Sequence, residues 1–274
     1  MELILNGRAV PYVVTGPRGY GAEEVLLEQD DDLLAGLSWH GVGFATLPFL
    51  TDDDHQRLQL GLTEMIRDLL QQIGVPSLEG FTLESYHRFL GTAEAEERHA
   101  RLVAAIRSCF PLERLPLSVT RIEDRLSEIC GAAVHACNPH NGVREFCIRI
   151  IRPDSTDCNP LHRDVWLDRL RDAVNIYAPL AGSSPLSSLA LVPGSHLWKE
   201  SEIERTEAGA QVNGNTYTVP AVTGARRPLD LERPDPGSNE VLVFSPYLIH
   251  GSAINFQNDR TRVSLEMRFW RSPA

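Results

Sequence analysis

The sequence predicts an α+β protein with a mainly β core and a helical N-terminal half packed against it. Segments with helical periodicity dominate up to about residue 130, and short apolar or alternating runs separated by Gly, Pro, Asn and Asp follow. Helices followed by many short strands are typical of a β-sandwich or barrel backed by helices. We therefore expect residues 1–274 to form one domain, with 1–130 as helical support and 131–274 as the strand-rich core.

The N-terminal part begins with a predicted hairpin and continues with predicted helices. The stretch ELILNGRAVPYVVT surrounds Asn6-Gly7, a dipeptide typical of tight hairpin turns. The clearest helix follows Thr51, a predicted N-cap before three acidic residues, and ends at Gly74. Its apolar residues recur every three to four positions, which indicates one buried face. Further helices are predicted over 83–90, 94–109 and 118–130.

The C-terminal part contains short runs typical of strands, followed or separated by turn residues. Between the run ending at 193 and the run starting at 240 lie more than 40 residues with little hydrophobic periodicity. A loop of that length is typically a lid, a binding insertion or a disordered segment, and we expect residues 201–238 to act as a lid. The predicted strands cover 144–152, 173–180, 188–193, 240–246 and 260–270.

Composition narrows the partners and the compartment. The net charge of −11 argues against nucleic acid or an anionic membrane as a partner for the whole surface. The five cysteines are an odd number with no paired spacing, for which a reducing cytosol is the simplest setting. No signal peptide is recognisable, and no run reaches the roughly 18 apolar residues of a membrane helix. We expect a cytoplasmic protein.

Three residues have the chemistry of a metal site. His162 and Asp164 follow the predicted strand 144–152, and His250 follows the strand 240–246. Ligands from distant strands converge in a barrel, so their separation along the chain is no obstacle. Two imidazoles and one carboxylate form the facial set that suits non-heme Fe(II) and leaves positions open for other ligands. We call these three residues the triad.

The last predicted strand offers an anchor for an anion. Its apolar residues alternate with Arg262, Ser264, Glu266 and Arg268, so one face can pack on helices while the other points into the barrel. Arginine inside a barrel is costly unless it is paired. A bound dicarboxylate would supply the partner, with a bidentate contact to Arg262 and a hydroxyl donor from Ser264.

These motifs together resemble the Fe(II)/2-oxoglutarate-dependent oxygenases, specifically the phytanoyl-CoA dioxygenase-like family. The resemblance covers roughly residues 140–270, with the motifs in the expected order, whereas the first half carries no matching motif. The residues that carry it are His162-x-Asp164, His250-Gly251-Ser252, Arg262-x-Ser264 and the VPGSH turn at 192–196.

The resemblance implies a double-stranded β-helix, or jelly roll, with Fe(II) on the triad and with 2-oxoglutarate and O2 as cosubstrates. The far carboxylate of 2-oxoglutarate would rest on Arg262 and Ser264, with Arg260 as the alternative anchor because the spacing varies between subfamilies. Asn175 occupies a position where the family often places a second contact to the cosubstrate, although a structural strand-end amide fits it equally well. Relatives that chlorinate lack the carboxylate, so Asp164 favours hydroxylation.

The neighbourhood of the triad suggests a substrate. Arg163 lies between two ligands and Trp166 just past them, so they could hold a carboxylate and cover a carbon chain. This favours a free or N-acylated amino acid over a large CoA thioester, although Arg163 could instead be exposed and paired with a neighbour. Arg268, six residues beyond Arg262, is expected to lie roughly 20 Å along the strand and too far to touch substrate.

Other functions remain open on the sequence alone. An oxygenase of an acyl-CoA or of a natural-product intermediate would use the same motifs, because a fold does not select its substrate. A cupin-like metalloprotein could use the triad without 2-oxoglutarate, and a jelly-roll binding protein could retain it without activity. Arg262 and Ser264 count against the former, and the intact triad counts against the latter.

Overall fold

The computed structural model of the chain describes residues 2–28, 32–91, 94–107, 110–155 and 159–272. The helices within these residues are α1 (Asp52–Gln72), α2 (Tyr86–Phe89), α3 (Ala95–Arg107) and α4 (Val119–Cys130). The strands are β1 (Glu2–Leu5), β2 (Arg8–Pro11), β3 (Val14–Thr15), β4 (Arg18–Tyr20), β5 (Phe44–Pro48), β6 (Phe110–Pro111), β7 (Val134–His135), β8 (Glu145–Ile151), β9 (Ala173–Ala181), β10 (Ala190–Leu191), β11 (Ile203–Thr206), β12 (Ala210–Val212), β13 (Asn215–Tyr217), β14 (Val222–Ala225), β15 (Glu240–Phe244), β16 (His250–Gly251) and β17 (Arg262–Arg271).

An antiparallel sheet forms the main layer. Its strand order is β5-β15-β9-β17-β8-β6, and β7 pairs with the end of β17. The long strand β17 lies in the middle of this sheet, where it pairs with β8 on one side and with β9 on the other. Because every described pairing in the sheet is antiparallel, one face can be apolar while the other carries polar side chains.

Short strands form a second layer opposite the main sheet. β10 pairs with β16, and residue 162 forms an isolated bridge with residue 250 in β16. The amide of Val222, the first residue of β14, donates to the carbonyl of Leu161 at 2.8 Å. β14 pairs in turn with β11, and β11 with β4. The predicted mainly β core is therefore confirmed, and its two layers are consistent with a jelly roll.

The largest apolar core lies between the main sheet and the helices. Val263, Leu265, Met267 and Phe269, the apolar face predicted for the last strand, are all buried in it. Residues from α1, α3 and α4 cover this face, so the other face of β17 is turned toward the second layer. The alternation in the sequence thus separates a packed side from a side that is available for chemistry.

Helix α1 begins and ends close to the predicted positions. The Thr51 hydroxyl accepts a hydrogen bond from the amide of Asp54 at 3.2 Å, as expected for an N-cap. Gly74 follows the last turn with φ of 86°, a conformation that glycine adopts without strain. None of the helices in the described residues combines the length and the apolar character needed to cross a membrane.

The expectation of a helical N-terminal half was wrong. Among the described residues before α1, all the regular elements are strands, β1 to β5. β5 pairs with β15 at the edge of the main sheet, and β3 and β4 pair with β12 and β11. These short strands are stabilised by partners some 200 positions away along the chain, which a local periodicity cannot reveal.

The 201–238 segment contains four strands, β11 to β14, rather than a structureless loop. Ile203, Val212 and Val222 are among its residues that are buried in a second apolar cluster, which Leu3 and Tyr12 from the N-terminus also join. Strand pairing and this cluster attach the segment to the first twenty residues. Whether it moves as a lid stays a prediction.

The cysteines differ from the sequence expectation at one position. Cys147 in β8 is disulfide-bonded. Cys130 and Cys137 are free thiols. The disulfide removes the cysteine-based reason for expecting a reducing compartment.

Gly61 in α1 tests the packing of this helix. A Cβ at position 61 would lie 2.2 Å from Cβ of Pro116, so the backbones approach too closely for a side chain. Alanine is favoured over glycine in a helix by about 1 kcal/mol, yet we expect Gly61→Ala to lower the free energy of unfolding by about 1–3 kcal/mol through overpacking. Urea unfolding measures the difference.

Gly41→Ala is the matched control, because nothing lies within 4 Å of the Cβ it would add. Its unfolding free energy should stay within about 0.5 kcal/mol of the wild-type value. An equal or higher stability of Gly61→Ala would contradict the contact between α1 and the segment before α4.

Candidate metal centre

Backbone pairing brings the two histidines of the triad side by side. The amide of His162 donates to the carbonyl of His250 at 2.9 Å, and the reverse bond has the same length. The ring centroids consequently lie 4.4 Å apart. Gly251 has φ of 131°, and a Cβ there would lie 2.1 Å from the carbonyl oxygen of Pro160. This approach of the two segments therefore requires glycine after the second histidine.

The ligating atoms of the triad converge in a buried space. The Nε2 atoms of His162 and His250 lie 3.2 and 3.7 Å from Oδ1 of Asp164. One nitrogen or oxygen atom from each residue lies within 4.8 Å of the others, a spacing that could hold a metal ion. The three residues are at most 6% exposed, so water does not compete freely for these atoms.

Hydrogen bonds orient both imidazoles. Nδ1 of His162 lies 2.8 Å from the carbonyl oxygen of Pro160, and Nδ1 of His250 lies 2.9 Å from that of Leu248. A carbonyl only accepts, so each Nδ1 carries the proton and each Nε2 keeps its lone pair for a metal. Burial, followed by the neighbouring His162, lowers the pKa of His250 to about 4. Its imidazole is therefore neutral at pH 7, as a ligand must be.

Asp164 is fixed through the oxygen that faces away from the histidines. Nε and Nη2 of Arg268 donate to its Oδ2 at 2.9 and 2.8 Å, and Nδ2 of Asn175 donates to the same atom at 3.0 Å. Burial by itself would raise the pKa of Asp164, but the charge of Arg268 holds it well below its usual range. The carboxylate is ionised, and its Oδ1 is presented to the triad.

These contacts correct one expectation. Arg268 was expected to lie too far along the strand, but that distance was counted from Arg262 and not from the triad, which the long side chain of Arg268 reaches. The amide nitrogen of Asn175 holds Asp164, while its Oδ1 has no hydrogen-bond partner among the described residues, and its contact with the cosubstrate stays a prediction. The signal for Arg268 was its place on the same strand face as Arg262.

A pocket next to the triad, here the metal pocket, is lined by the triad together with Arg149, Arg262, Glu266 and Arg268. Arg262 is 2% exposed, and its Nε and Nη1 have no hydrogen-bond partner among the described residues. The buried hydroxyl of Ser264 also lacks a partner there. These buried donors predict an anion that binds beside them.

Arg260, the alternative anchor, does not face this pocket. Its side chain is 55% exposed and lies 3.9 Å from Asp259. Arg262 instead lines the pocket, with its guanidinium 5.4 Å from the ring centroid of Tyr177. The structure therefore favours Arg262 over Arg260 as the anion anchor.

Arg163 and Trp166 do not lie in the metal pocket, contrary to the expectation that they hold the substrate. Arg163 is fully buried, where it pairs with Oε1 of Glu200 at 2.5 Å and also donates to the carbonyl of Ser195. Nε1 of Trp166 donates to the other oxygen of Glu200 at 3.0 Å. Adjacent side chains at a strand end point in opposite directions, so the residue between two inward ligands points away from them.

This Arg163–Glu200 pair has a structural role instead. The carbonyl of Glu200 accepts a hydrogen bond from Gly21, and its amide donates to the carbonyl of Glu24. The pair thus joins the turn that carries His162 and Asp164 to the N-terminal segment. A buried pair of this kind is costly to break, because loss of Glu200 would leave the fully buried charge of Arg163 without its partner.

Comparison with known proteins identifies the fold. The sequence matches no family model and none of the curated proteins. ThoJ, a non-heme monooxygenase solved in its apo form, has 15% sequence identity and a TM-score of 0.53, over 88% of this chain and 79% of its own. AviO1 from Streptomyces viridochromogenes Tue57 has 18% identity and a TM-score of 0.50, over 89% of this chain and 98% of its own.

EctD from S. alaskensis, solved with 2-oxoglutarate and 5-hydroxyectoine, has 15% identity and a TM-score of 0.49, over 97% of this chain and 86% of its own. The likeness to ThoJ shows that this chain shares the fold of a non-heme monooxygenase. The resemblance predicted from the motifs is confirmed at the level of the fold, and the described residues include a His-Asp-His triad.

Arg268→Gln tests the contact that fixes Asp164. The variant removes the guanidinium that donates twice to Oδ2, so Asp164 should present Oδ1 less well. Loss of such a supporting contact typically lowers metal affinity by about 10–100-fold. We expect that weakening for Co(II), measured by calorimetry and by the Co(II) absorption spectrum. Arg268→Lys should recover part of the affinity.

Arg144→Gln is the matched control, because this arginine is half exposed and lies 3.8 Å from Glu113 outside the pocket. Its Co(II) affinity should equal that of the wild type. Unchanged Co(II) binding in Arg268→Gln would show that Asp164 needs no support from β17.

The pH dependence of stability follows from two buried histidines. Burial lowers the pKa of both His250 and His196 to about 4 from 6.5. The unfolded chain takes up these protons first, so the stability they contribute is present above pH 6.5 and is lost as pH falls through about 4. Each histidine should contribute up to about 1.4 kcal/mol per pH unit in this window.

Urea unfolding of the metal-free protein between pH 7 and pH 5 measures this slope. His196→Gln should make the slope shallower, whereas replacement of the exposed His140 by Gln should leave it unchanged. If the slope is the same in the wild type, in His196→Gln and in the His140 variant, the pH dependence of stability does not come from the buried imidazole of His196.

Proposed function

We propose that the protein is an Fe(II)- and 2-oxoglutarate-dependent dioxygenase that hydroxylates an unactivated C–H bond of a small carboxylate-bearing molecule. One observation carries the proposal. The metal pocket combines a buried His-Asp-His triad with a buried guanidinium, that of Arg262, whose Nε and Nη1 lack partners among the described residues. The first feature fits the metal, and the second fits the cosubstrate.

The triad fits ferrous iron by its donor set. His162 and His250 offer neutral Nε2 atoms, and Asp164 offers one carboxylate oxygen while Arg268 and Asn175 hold the other. Two imidazoles and one carboxylate leave open positions for a chelating cosubstrate and for oxygen. A zinc site built for structure would instead be closed by a fourth protein ligand.

The free donors fit 2-oxoglutarate. A buried guanidinium without a partner is costly, because burial removes its hydration. A carboxylate on Arg262 could satisfy Nε and Nη1, and the hydroxyl of Ser264, two residues further along the strand, could donate to the same group. 2-Oxoglutarate has a second carboxylate next to its keto group, which could reach the metal at the same time.

The residues of the pocket would have distinct roles. When bound, iron would supply the activation of O2, coupled to conversion of 2-oxoglutarate to succinate and carbon dioxide. The triad would hold the metal, and Arg268 with Asn175 would keep Asp164 in place. Leu189 and Phe244, which also line the pocket, would limit the access of water to the reacting atoms.

Arg262, whose Nε and Nη1 lack partners in the part of the chain that the structure describes, also weighs against the alternative of a cupin-like protein that binds a metal without 2-oxoglutarate. Such a protein would have no need for a buried cation beside the metal. An acyl-CoA or natural-product oxygenase would share all these features and differ only in the substrate.

Reconstitution without oxygen tests the proposal. Fe(II) and 2-oxoglutarate together should produce a weak visible charge-transfer band, and Asp164→Ala should abolish the hydroxylase activity. Arg262→Ala should raise the 2-oxoglutarate requirement steeply, since the loss of a buried charge-assisted contact costs about 2–5 kcal/mol. The half-saturating 2-oxoglutarate concentration for the band is the measurement.

Arg260→Ala is the control, because it removes an equally charged side chain only two residues away that is 55% exposed. It should leave the 2-oxoglutarate requirement close to the wild-type value. A larger effect of Arg260→Ala than of Arg262→Ala would make Arg260 the anchor, and the absence of any band would contradict the proposed function.

A further inference from the structure

An ion pair between Arg149 and Glu266 lines the metal pocket. Nε of Arg149 in β8 donates to Oε2 of Glu266 in β17 at 3.0 Å, and both residues line the metal pocket. Arg149 also lines a neighbouring cavity, here the outer cleft, between α3 and β13. Ile151 and Asn159 are shared by the two spaces as well. Arg149 therefore lies where the metal pocket and the outer cleft adjoin.

The pair has unused hydrogen-bonding capacity. Its contact is a single hydrogen bond, and among the described residues no hydrogen bond involves either Nη of Arg149 or Oε1 of Glu266. The two side chains are 32% and 22% exposed. By contrast, Arg268 makes two bonds to Asp164, and Arg163 is fully buried against Glu200. The Arg149–Glu266 pair is therefore open to a ligand.

The charges of the pocket define what that ligand carries. Arg268 is compensated by Asp164, and Arg262 would be compensated by 2-oxoglutarate. Arg149 and Glu266 remain, one cation and one anion. A ligand with only a carboxylate would bring its charge close to Glu266, and a ligand with only an ammonium would meet Arg149. A ligand with both groups satisfies each residue and adds no net charge to a partly buried site.

We infer that Arg149 and Glu266 recognise the substrate, and that the substrate is a free amino acid or a similar small zwitterion. Its carboxylate binds the free Nη atoms of Arg149, and its ammonium binds Oε1 of Glu266. This inference rests on the proposed function and names its substrate class. An N-acylated amino acid lacks the cation and leaves Glu266 facing an uncharged amide.

Spectroscopic titration tests the inference. The protein is loaded with Fe(II) and 2-oxoglutarate without oxygen, and the charge-transfer band is recorded first. Free amino acids, their N-acetyl and methyl-ester derivatives, betaines and an acyl-CoA are then added one at a time. We expect a zwitterion to change the band and to support succinate release in air. Its N-acetyl and methyl-ester forms should bind at least about tenfold more weakly, which corresponds to about 1.4 kcal/mol.

Two variants assign the groups separately. Glu266→Gln should reduce the preference for the free amine over the N-acetyl form to less than about threefold, while the preference for the acid over the ester persists. Arg149→Gln should instead reduce the preference for the acid over the ester, while the preference for the free amine over the N-acetyl form persists. If Arg149 and Glu266 had only a structural role, each variant would bind all these ligands more weakly by the same factor. Arg144→Gln, next to β8 and half exposed, should keep both preferences.

The outcomes separate this inference from the proposed function. If no band forms, the proposed function fails and the inference fails with it. If the band forms but no zwitterion changes it, or only acylated or uncharged compounds do, the substrate class is wrong and the oxygenase assignment stands. Retention of both preferences in both variants would remove the Arg149–Glu266 pair from the substrate site.

Discussion

The antiparallel backbone bridge between His162 and His250 is the constraint on which the site depends. Two mutual hydrogen bonds fix the separation of the residues before any side chain is placed. Both imidazoles then point to the same side of the bridge, because directly opposed residues in an antiparallel pair project to the same face. Gly251 permits the approach, since the carbonyl of Pro160 occupies the space where a Cβ would stand. The site is therefore created by backbone geometry and only refined by side chains.

Charge compensation organises the rest of the site. Asp164 is neutralised by Arg268 within the pocket, and Arg163 is neutralised by Glu200 on the opposite side of the same turn. Both pairs hold the segment that carries His162 and Asp164. Arg268 holds it from the main sheet, and Glu200 holds it from the side where the N-terminal segment is bonded to Glu200. Arg262 breaks this pattern, with buried donors that lack partners among the described residues. Buried guanidinium donors without partners that face a pocket point to a ligand.

Much of the candidate site could be predicted from the types of residue in the sequence and from their order along the chain. The triad and Arg262 were recognisable because metal and carboxylate chemistry restricts the possible residues, and alternation along the last strand gave the direction of Arg262. The same alternation, applied to Arg163, argues that this residue points away from the metal. The contact between Arg268 and Asp164 was missed because distance along a strand says little about distance across a barrel.

The sequence by itself determined the mainly β core, the start and end of α1, and the chemistry of the triad, since each depends on local periodicity or on residue type. Only the tertiary structure decided that β3, β4 and β5 are strands, because their partners, β12, β11 and β15, lie far along the chain. It also decided which arginine compensates which charge. These are contacts between residues far apart in the chain, and their energies depend on burial and distance, which appear only when the two layers have come together.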